Sequence, residues 1–223
     1  MKPVTNSDKS PRPERMRADA ARNQQRILTA AAEMYAERGL EVHLNQVAEH
    51  AGVGVGTVYR RYTNKRQLIA DVYEQDIRRL VEKAESTLQH QDPWIGLVEF
   101  FEYSCGNIAT NRGLGEVLRA GDDYSSITAA LRERVEPAVG RVIDRARAAG
   151  VLRPSVEPVD FFILINIVDT VVDLTRSADP TAWHRYFEIM LDGLRADARP
   201  RHRLTTPALT PDQIRNTKFA GSG

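Results

Sequence analysis

Apolar residues recur along most of the chain at the spacing of an α-helix, and no stretch shows the strict alternation of a strand. From Ala21 the pattern is helical. Leu28, Ala31, Ala32 and Tyr35 fall at i, i+3, i+4 and i+7, and Gly39 follows Arg38 as a stop signal. Leu44, Val47, Ala48 and Ala51 repeat the spacing in a shorter helix that Gly52 breaks, and a third short segment runs from Val55 to Tyr62. Thr63 and Asn64 then precede Lys65 as N-cap candidates for a long fourth helix reaching about Leu88. Pro93 opens an apolar helix through Leu97, Phe101 and Ile108. Gly113, Gly115 and Gly121 predict a broken, shorter element. A long helix follows over Ile127 to Ala149, which Pro137 should kink or split. Pro158 opens a helix to about Arg176, and a last one starts near Thr181. Residues 1–20 and 198–223 are polar and proline-containing without a hydrophobic period, so they read as a disordered basic arm and a flexible tail. The fold class expected is all-α: a three-helix N-terminal domain over 21–66 and a larger helical domain over 67–197.

Charge sharpens this division. The net charge is +1 over 223 residues, but residues 1–66 carry +5 and the remainder −4. A basic third beside an acidic remainder points to a polyanion at one end only. No run of eighteen apolar residues and no apolar leader segment occur, so a cytoplasmic protein with no membrane contact is expected. The single Cys105 excludes an intramolecular disulfide and any multi-cysteine metal site.

Residues 44–62, L-N-Q-V-A-E-H-A-G-V-G-V-G-T-V-Y-R-R-Y, carry the candidate chemistry. Two short helices flank a turn containing Gly52, which can take a positive φ at no steric cost. Ala48 and Ala51 are small enough for close helix approach, and Val53 and Val58 anchor the pair. Such a pair is a helix-turn-helix, whose second helix enters the major groove. That helix presents Thr57, Tyr59, Arg60, Arg61 and Tyr62, all able to hydrogen-bond to phosphates or base edges. On this pattern alone, an ordinary corner between two helices is the competing reading.

Four blocks resemble the DNA-binding domain of the TetR family in order and spacing: I-L-T-A-A-A-E-M-Y-A-E-R-G (27–39), V-A-E-H-A-G-V (47–53), G-T-V-Y-R-R-Y (56–62) and K-R-Q-L (65–68). The chain departs from the family at Gly54, where Ser is common, at Tyr62, usually Phe, and at His43 and Leu44, where hydroxyl residues are usual. The resemblance implies a homodimer on double-stranded operator DNA. Val55, Gly56, Thr57 and Tyr59 would lie nearest the bases, with Asn45 also reaching a base edge. His43, Arg61 and Lys65 match phosphate-contacting positions. Arg12, Arg15, Arg17 and Arg22 either add phosphate or minor-groove contacts or solubilise a tail.

The C-terminal two-thirds resembles no particular subfamily. Residues 161–172, F-F-I-L-I-N-I-V-D-T-V-V, are apolar nearly all round, so this helix must be covered on more than one side. The last helix carries a stripe of Trp183, Tyr186, Phe187, Met190, Leu191 and Leu194. In the family the last two long helices pair with their copies, which makes Phe162, Val172, Trp183, Phe187, Met190 and Leu194 the candidate dimer interface. Asn166, Asp169, Thr170 and Asp173 form a polar line on the same apolar helix, either lining a ligand pocket or facing solvent or an interface. Trp94, Phe101, Cys105, Ile108 and Tyr124 either line an apolar cavity or belong to the core. A cavity is expected between the helix at 93–110, the Pro137 helix and the helix at 159–176. Its occupant would be a hydrophobic or amphipathic small-molecule effector.

Catalytic signals are absent from the sequence: no P-loop, no G-x-S-x-G, no H-E-x-x-H. The string at 52–56 follows a helix rather than a strand and lacks the Gly-Lys-Ser/Thr of a phosphate cradle. The five histidines show no metal-ligand spacing. No cofactor, no metal and no enzyme activity are expected. The reading favoured is a repressor released from a palindromic operator by an effector. Its alternatives are an activator or partner-controlled regulator, and a helical enzyme or carrier with a vestigial helix-turn-helix.

Overall fold

The computed structural model describes residues 13–120, 124–196 and 206–210. Among them lie ten α-helices: α1 Pro13–Arg38, α2 Leu44–His50, α3 Val55–Arg61, α4 Lys65–Thr87, α5 Pro93–Thr110, α6 Arg112–Ala120, α7 Ser125–Ala130, α8 Glu136–Ala148, α9 Pro158–Thr175 and α10 Trp183–Leu194. The expected all-α architecture is found, and no strand occurs among the described residues.

Local chemistry sets most of the boundaries. Asn64 caps α4, its side chain accepting from the Gln67 N–H at 2.9 Å. Asp92 caps α5 by accepting from Trp94 N–H at 2.7 Å, and Pro93 occupies the first turn, where its missing N–H costs nothing. Pro137 does split the predicted long helix. Ahead of it, residues Leu131–Val135 form a wide π-type turn in which Glu136 N–H donates to Leu131 O. The proline supplies no donor of its own, so the chain re-pairs one residue further apart before α8 begins.

Two expectations fail. Residues 13–20 belong to α1 rather than to an irregular arm: Pro13 suits a first helical turn, and Ala18, Ala20 and Ala21 propagate it. Residues 1–12, with Arg12, and most of the tail lie outside the described residues. Gly113 and Gly115 lie within the continuous helix α6. A Cβ at Gly115 would sit 2.5 Å from the Asp169 carboxylate on α9, so this glycine permits close approach rather than breaking the helix.

Two packed regions result. In the first, Ile27, Ala31, Met34 and Tyr35 of α1 meet Val47 and Ala48 of α2, Val58 of α3 and Leu68 and Ile69 of α4, all buried. In the second, aromatic rings tie α5, α9 and α10 together: Phe101 lies 5.0 Å from Phe161 and 5.3 Å from Phe187, and Phe187 lies 6.0 Å from Trp183. Helix α4 belongs to both regions, because it runs through the expected boundary at residues 66 and 67 without a break. The regions also meet through α6, where Glu116 accepts from Leu40 N–H at 2.6 Å and from Arg112 Nε at 3.0 Å.

Candidate functional site

The turn between α2 and α3 is built from the backbone outward. Gly52 has φ +61°, where an L side chain would be strained. Its N–H donates to Glu49 O at 3.0 Å, and Val53 N–H donates to Ala48 O at 3.0 Å. These two bonds close α2 in a Schellman motif and aim α3 across it. Arg26 of α1 fixes the turn from below, its Nη2 donating to Gly52 O at 3.0 Å. Val58 is the inward anchor of α3 and is fully buried.

With Val58 facing in, the other side of α3 faces out. Val55 and Tyr59 are 44% and 50% exposed, and Gly56, Arg60 and Arg61 are exposed beside them. Thr57 is half-buried, its hydroxyl accepting from Arg60 Nη2 at 3.3 Å. On α2, Asn45 is exposed, and exposed His43 precedes the helix with its N–H donating to Gln46 Oε1 at 2.8 Å. A groove of about 480 Å³ runs between the N-terminal half of α1 and α3, with Arg60 and Arg61 on its rim. Apolar, hydroxyl and cationic groups thus share one convex face. Such a face can contact phosphates through its arginines and base edges through its shorter side chains.

One sequence-predicted contact is corrected, and a second has a partner within the protein. Tyr62 is completely buried, and burial pushes its hydroxyl up to about 12, with the Asp71 carboxylate adding to the shift. It packs in the domain core with the Arg61 guanidinium 5.7 Å from its ring centroid, so its side chain cannot touch a nucleic acid. Lys65 is half-buried and its Nζ donates to the Leu40 carbonyl, which ties α4 to the end of α1. Arg26 was not singled out in the sequence. Its position one turn ahead of Thr29 and Ala30 gave no sign that it would reach the α2–α3 turn.

The second region holds a partly open cavity of about 80 Å³. Tyr73, Asp76, Ile77 and Leu80 of α4, Ser104, Asn107 and Ile108 of α5, and Leu114 and Leu118 of α6 line one side. Ile127 of α7, Leu131 and Val135 of the wide turn, and Phe161, Phe162 and Ile165 of α9 line the other. It lies among the expected helices, but of the eight expected lining residues only Ile108 borders it. Phe101 and Cys105 are plain core, and burial raises the Cys105 thiol well above its ordinary range. Trp94 stands at the start of α5 under the Arg195 guanidinium, 5.1 Å from the ring centroid. Tyr124 precedes α7 outside the lining. Asn166 Nδ2 donates to Phe162 O at 2.7 Å, and exposed Thr170 donates to Asn166 O at 2.9 Å, both within α9. Asp169 is buried but faces α6, where Arg119 pairs with it and also reaches Asp173 at 3.3 Å. The α4 lining was legible in principle, since residues 73, 76, 77 and 80 repeat at helical spacing.

Part of the expected dimer stripe is taken up within the protomer. Trp183 and Phe187 are 5% and 3% exposed within the protomer, and Val172 is buried too. Met190 and Leu194 pack partly buried against the same core, and Phe162 borders the cavity. The outer faces of α9 and α10 instead expose Ile167, Leu174, Tyr186 and Ile189. Among the described residues, no group of three potential ligands is placed to hold a metal ion, and no helix is long and apolar enough to cross a membrane.

Residues 27–72 match the family described as bacterial regulatory proteins of the tetR family, and residues 92–196 match the SbtR-like transcriptional regulator C-terminal domain. Over 67 residues the chain is 36% identical to an HTH-type transcriptional regulator of Staphylococcus aureus, covering 30% of this chain and 36% of that protein. The chain therefore spans about a third of the length of the curated relatives it matches. A TetR transcription regulatory protein of Mycobacterium vanbaalenii is 30% identical with a TM-score of 0.58, over 81% of this chain and 99% of that one. The regulator FadR of Bacillus subtilis, solved in complex with stearoyl-CoA, shares the fold at 16% identity and a TM-score of 0.61, over 76% and 98% of the two chains. The helix-turn-helix, the helical second region and these matches agree: the chain belongs to the TetR family of transcriptional regulators.

Proposed function

We propose that this protein is a homodimeric repressor that binds a palindromic operator through α3 and leaves it when a small molecule occupies the second region. The exposed face of α3 carries the reading. Val55, Gly56 and Tyr59 point away from the domain core beside Arg60 and Arg61, half-buried Thr57 lies between them, and fully buried Val58 anchors the helix inward. Arg61 and the half-exposed rim of α1 would hold phosphates, and Asn45, Thr57 and Tyr59 would read base edges, with Val55 against thymine methyls. The exposed side chains Ile167, Leu174, Tyr186 and Ile189 supply the apolar surface by which two copies pair. A two-fold dimer would then set its recognition helices about 34 Å apart, one turn of the duplex. An effector shifts that spacing only if it binds the non-matching arrangement more tightly, and operator DNA must weaken the effector in return.

Selection from a randomised duplex library, followed by fluorescence anisotropy on the enriched sequence, tests the reading. Two inverted half-sites should be enriched, and affinity should fall steeply as salt rises. Failure to enrich any sequence would remove operator recognition from the account.

A further inference from the structure

The lining of the cavity has a sign. Its walls are mostly aliphatic and aromatic, and among the described residues lining it Asp76 is the sole ionisable acid or base other than the Tyr73 phenol. Tyr73 is already engaged, donating to Asn111 Oδ1 at 3.2 Å, and the Ser104 hydroxyl donates to Phe100 O at 2.8 Å. Asp76 meets only the i+3 guanidinium of Arg79, at 3.3 Å and on the solvent side. Such a pair is weak and easily exchanged. Burial raises the Asp76 carboxyl above its ordinary range, with Arg79 opposing. Its charged form is therefore under-compensated where it stands. Asp76 also borders the groove between α1 and α4, so this residue stands between the cavity and that groove.

We infer that the ligand of this cavity is a small cationic amphiphile, an alkyl or aryl ammonium whose charged head pairs with Asp76 and whose apolar body fills the space between α5, α6 and α9. This rests on the effector reading above and adds the charge and size of the effector. Size follows from volume. The cavity of about 80 Å³ is smaller than the ~150 Å³ engineered cavity that admits benzene, so the body is a chain of about four to six carbons or the wide turn at Leu131–Val135 must yield. Charge follows from pairing. A desolvated ammonium on a carboxylate gains a charge-assisted hydrogen bond, whereas an anionic head group would face Asp76 with no cation among the described lining residues to receive it.

The test compares n-hexylammonium, n-hexanol and hexanoate on the full-length wild-type protein, by calorimetric titration and thermal shift. The ammonium should bind about tenfold or more tightly than the alcohol, as one charged hydrogen bond predicts, and hexanoate more weakly than either. Asp76→Asn should bring the ammonium down to the affinity of the alcohol and leave the alcohol unchanged. Leu114→Phe, which fills the cavity, should weaken both. Should Asp76→Asn fail to fold, the ranking of the three compounds on the wild type decides alone. Equal or stronger binding of hexanoate, an undiminished ammonium affinity in Asp76→Asn, or no binding by any compound would overturn the inference. Anisotropy on operator DNA separates the two levels. Ammonium binding through Asp76 without loss of DNA affinity would uphold the cavity assignment and sink effector release. Release by hexanoate and not by hexylammonium would do the reverse.

Discussion

Two surfaces of this molecule expose apolar side chains, and the charge around them differs. On α3, Val55 and Tyr59 stand among Arg60 and Arg61, so the apolar groups are isolated within a cationic face. On α9 and α10, Leu174 is 80% and Ile189 55% exposed, and Ile167 and Tyr186 extend the same apolar character across both helices. Isolated apolar groups within cations suit the methyl groups and phosphates of a duplex. A broader apolar surface suits another protein surface. On the proposed reading, similar exposure serves two different partners, and each should respond to a different kind of substitution.

The largest effect should come from the α9–α10 surface. Leu174→Asp with Ile189→Asp should give a monomer by sedimentation at micromolar concentration and lower operator affinity by at least about 100-fold, because the second half-site is no longer tethered. Far-ultraviolet circular dichroism should stay unchanged, since both side chains face out. Phe187→Ala makes the opposite case. Its ring is buried against Phe101 and Trp183, so truncation should cost about 3–5 kcal/mol in denaturant unfolding of the protomer. A folded monomer from the Phe187 variant, or an unfolded chain from the double variant, would exchange the roles assigned to the two faces of α10.

The Arg119–Asp169 pair between α6 and α9 should give a smaller change with a defined pH dependence. Asp169 is buried, and burial raises its carboxyl above the ordinary 3.8, against the attraction of Arg119. A folded-state value above the unfolded one means that stability is fully present below about 3.8 and is lost as pH rises through the raised value. The wild type should therefore lose stability relative to Asp169→Asn as pH climbs from 3.8 toward neutrality. Arg119→Ala should deepen that loss by about 2 kcal/mol at neutral pH, a figure reduced because Arg119 is partly exposed. Parallel unfolding curves for wild type and Asp169→Asn across this range would show that the carboxylate does not titrate as its burial demands.

The two regions also differ in how much of them could be read in the sequence. In the helix-turn-helix, function is carried by short-range geometry. Gly52 marks the turn, Val58 the inward face, and the remaining residues of α3 are outward by periodicity, so position in the sequence nearly dictates exposure. Tyr62 falls four residues after Val58 and its N–H still donates to Val58 O, so helical spacing puts it on the inward face, and its hydroxyl alone suggests a DNA contact. In the second region α9 is apolar nearly all round, and periodicity cannot say which of its sides meets the protomer core. On α10 the period shows a stripe that must be covered, and Trp183 and Phe187 find that cover inside the protomer, with Met190 partly buried beside them. Asp169 stands out as a carboxylate on an apolar helix, and burial there calls for a partner. That partner is Arg119, fifty residues earlier in the chain, and no local pattern joins the two.

Base reading should be sharper in energy than in total affinity. Substituting Asn45 or Thr57 by Ala should change preference at one position of each half-site by roughly 1–3 kcal/mol, with little effect elsewhere in the site. Tyr59→Phe should act similarly but more weakly, because it keeps the exposed ring and removes only the hydroxyl. Repeating the randomised selection with each variant measures this directly. A preference unchanged in all three would move sequence readout away from α2 and α3.

The smallest expected effect separates two cations that the sequence treated alike. Arg61 is exposed at the end of α3, whereas the Lys65 ammonium is held by the Leu40 carbonyl. If Arg61 neutralises one phosphate, Arg61→Ala should shallow the slope of log affinity against log salt by about one unit, alike for all sequences, and leave unfolding unchanged. Lys65→Met should do less to the salt slope, because its charge is already directed at a carbonyl. It should instead lower the unfolding free energy by about 1 kcal/mol, the usual worth of a hydrogen bond between two elements. The same Leu40 residue donates its N–H to Glu116 of α6, so the variant also loosens the junction at which the second region grips the first. Measuring both variants by anisotropy across a salt series and by urea unfolding places them on two axes. Equal salt slopes for Arg61→Ala and Lys65→Met would return Lys65 to the phosphate-contacting role that the family resemblance implies. A loss of stability confined to Lys65→Met would fix it as the residue that holds α4, and with it the recognition helix, against the end of α1.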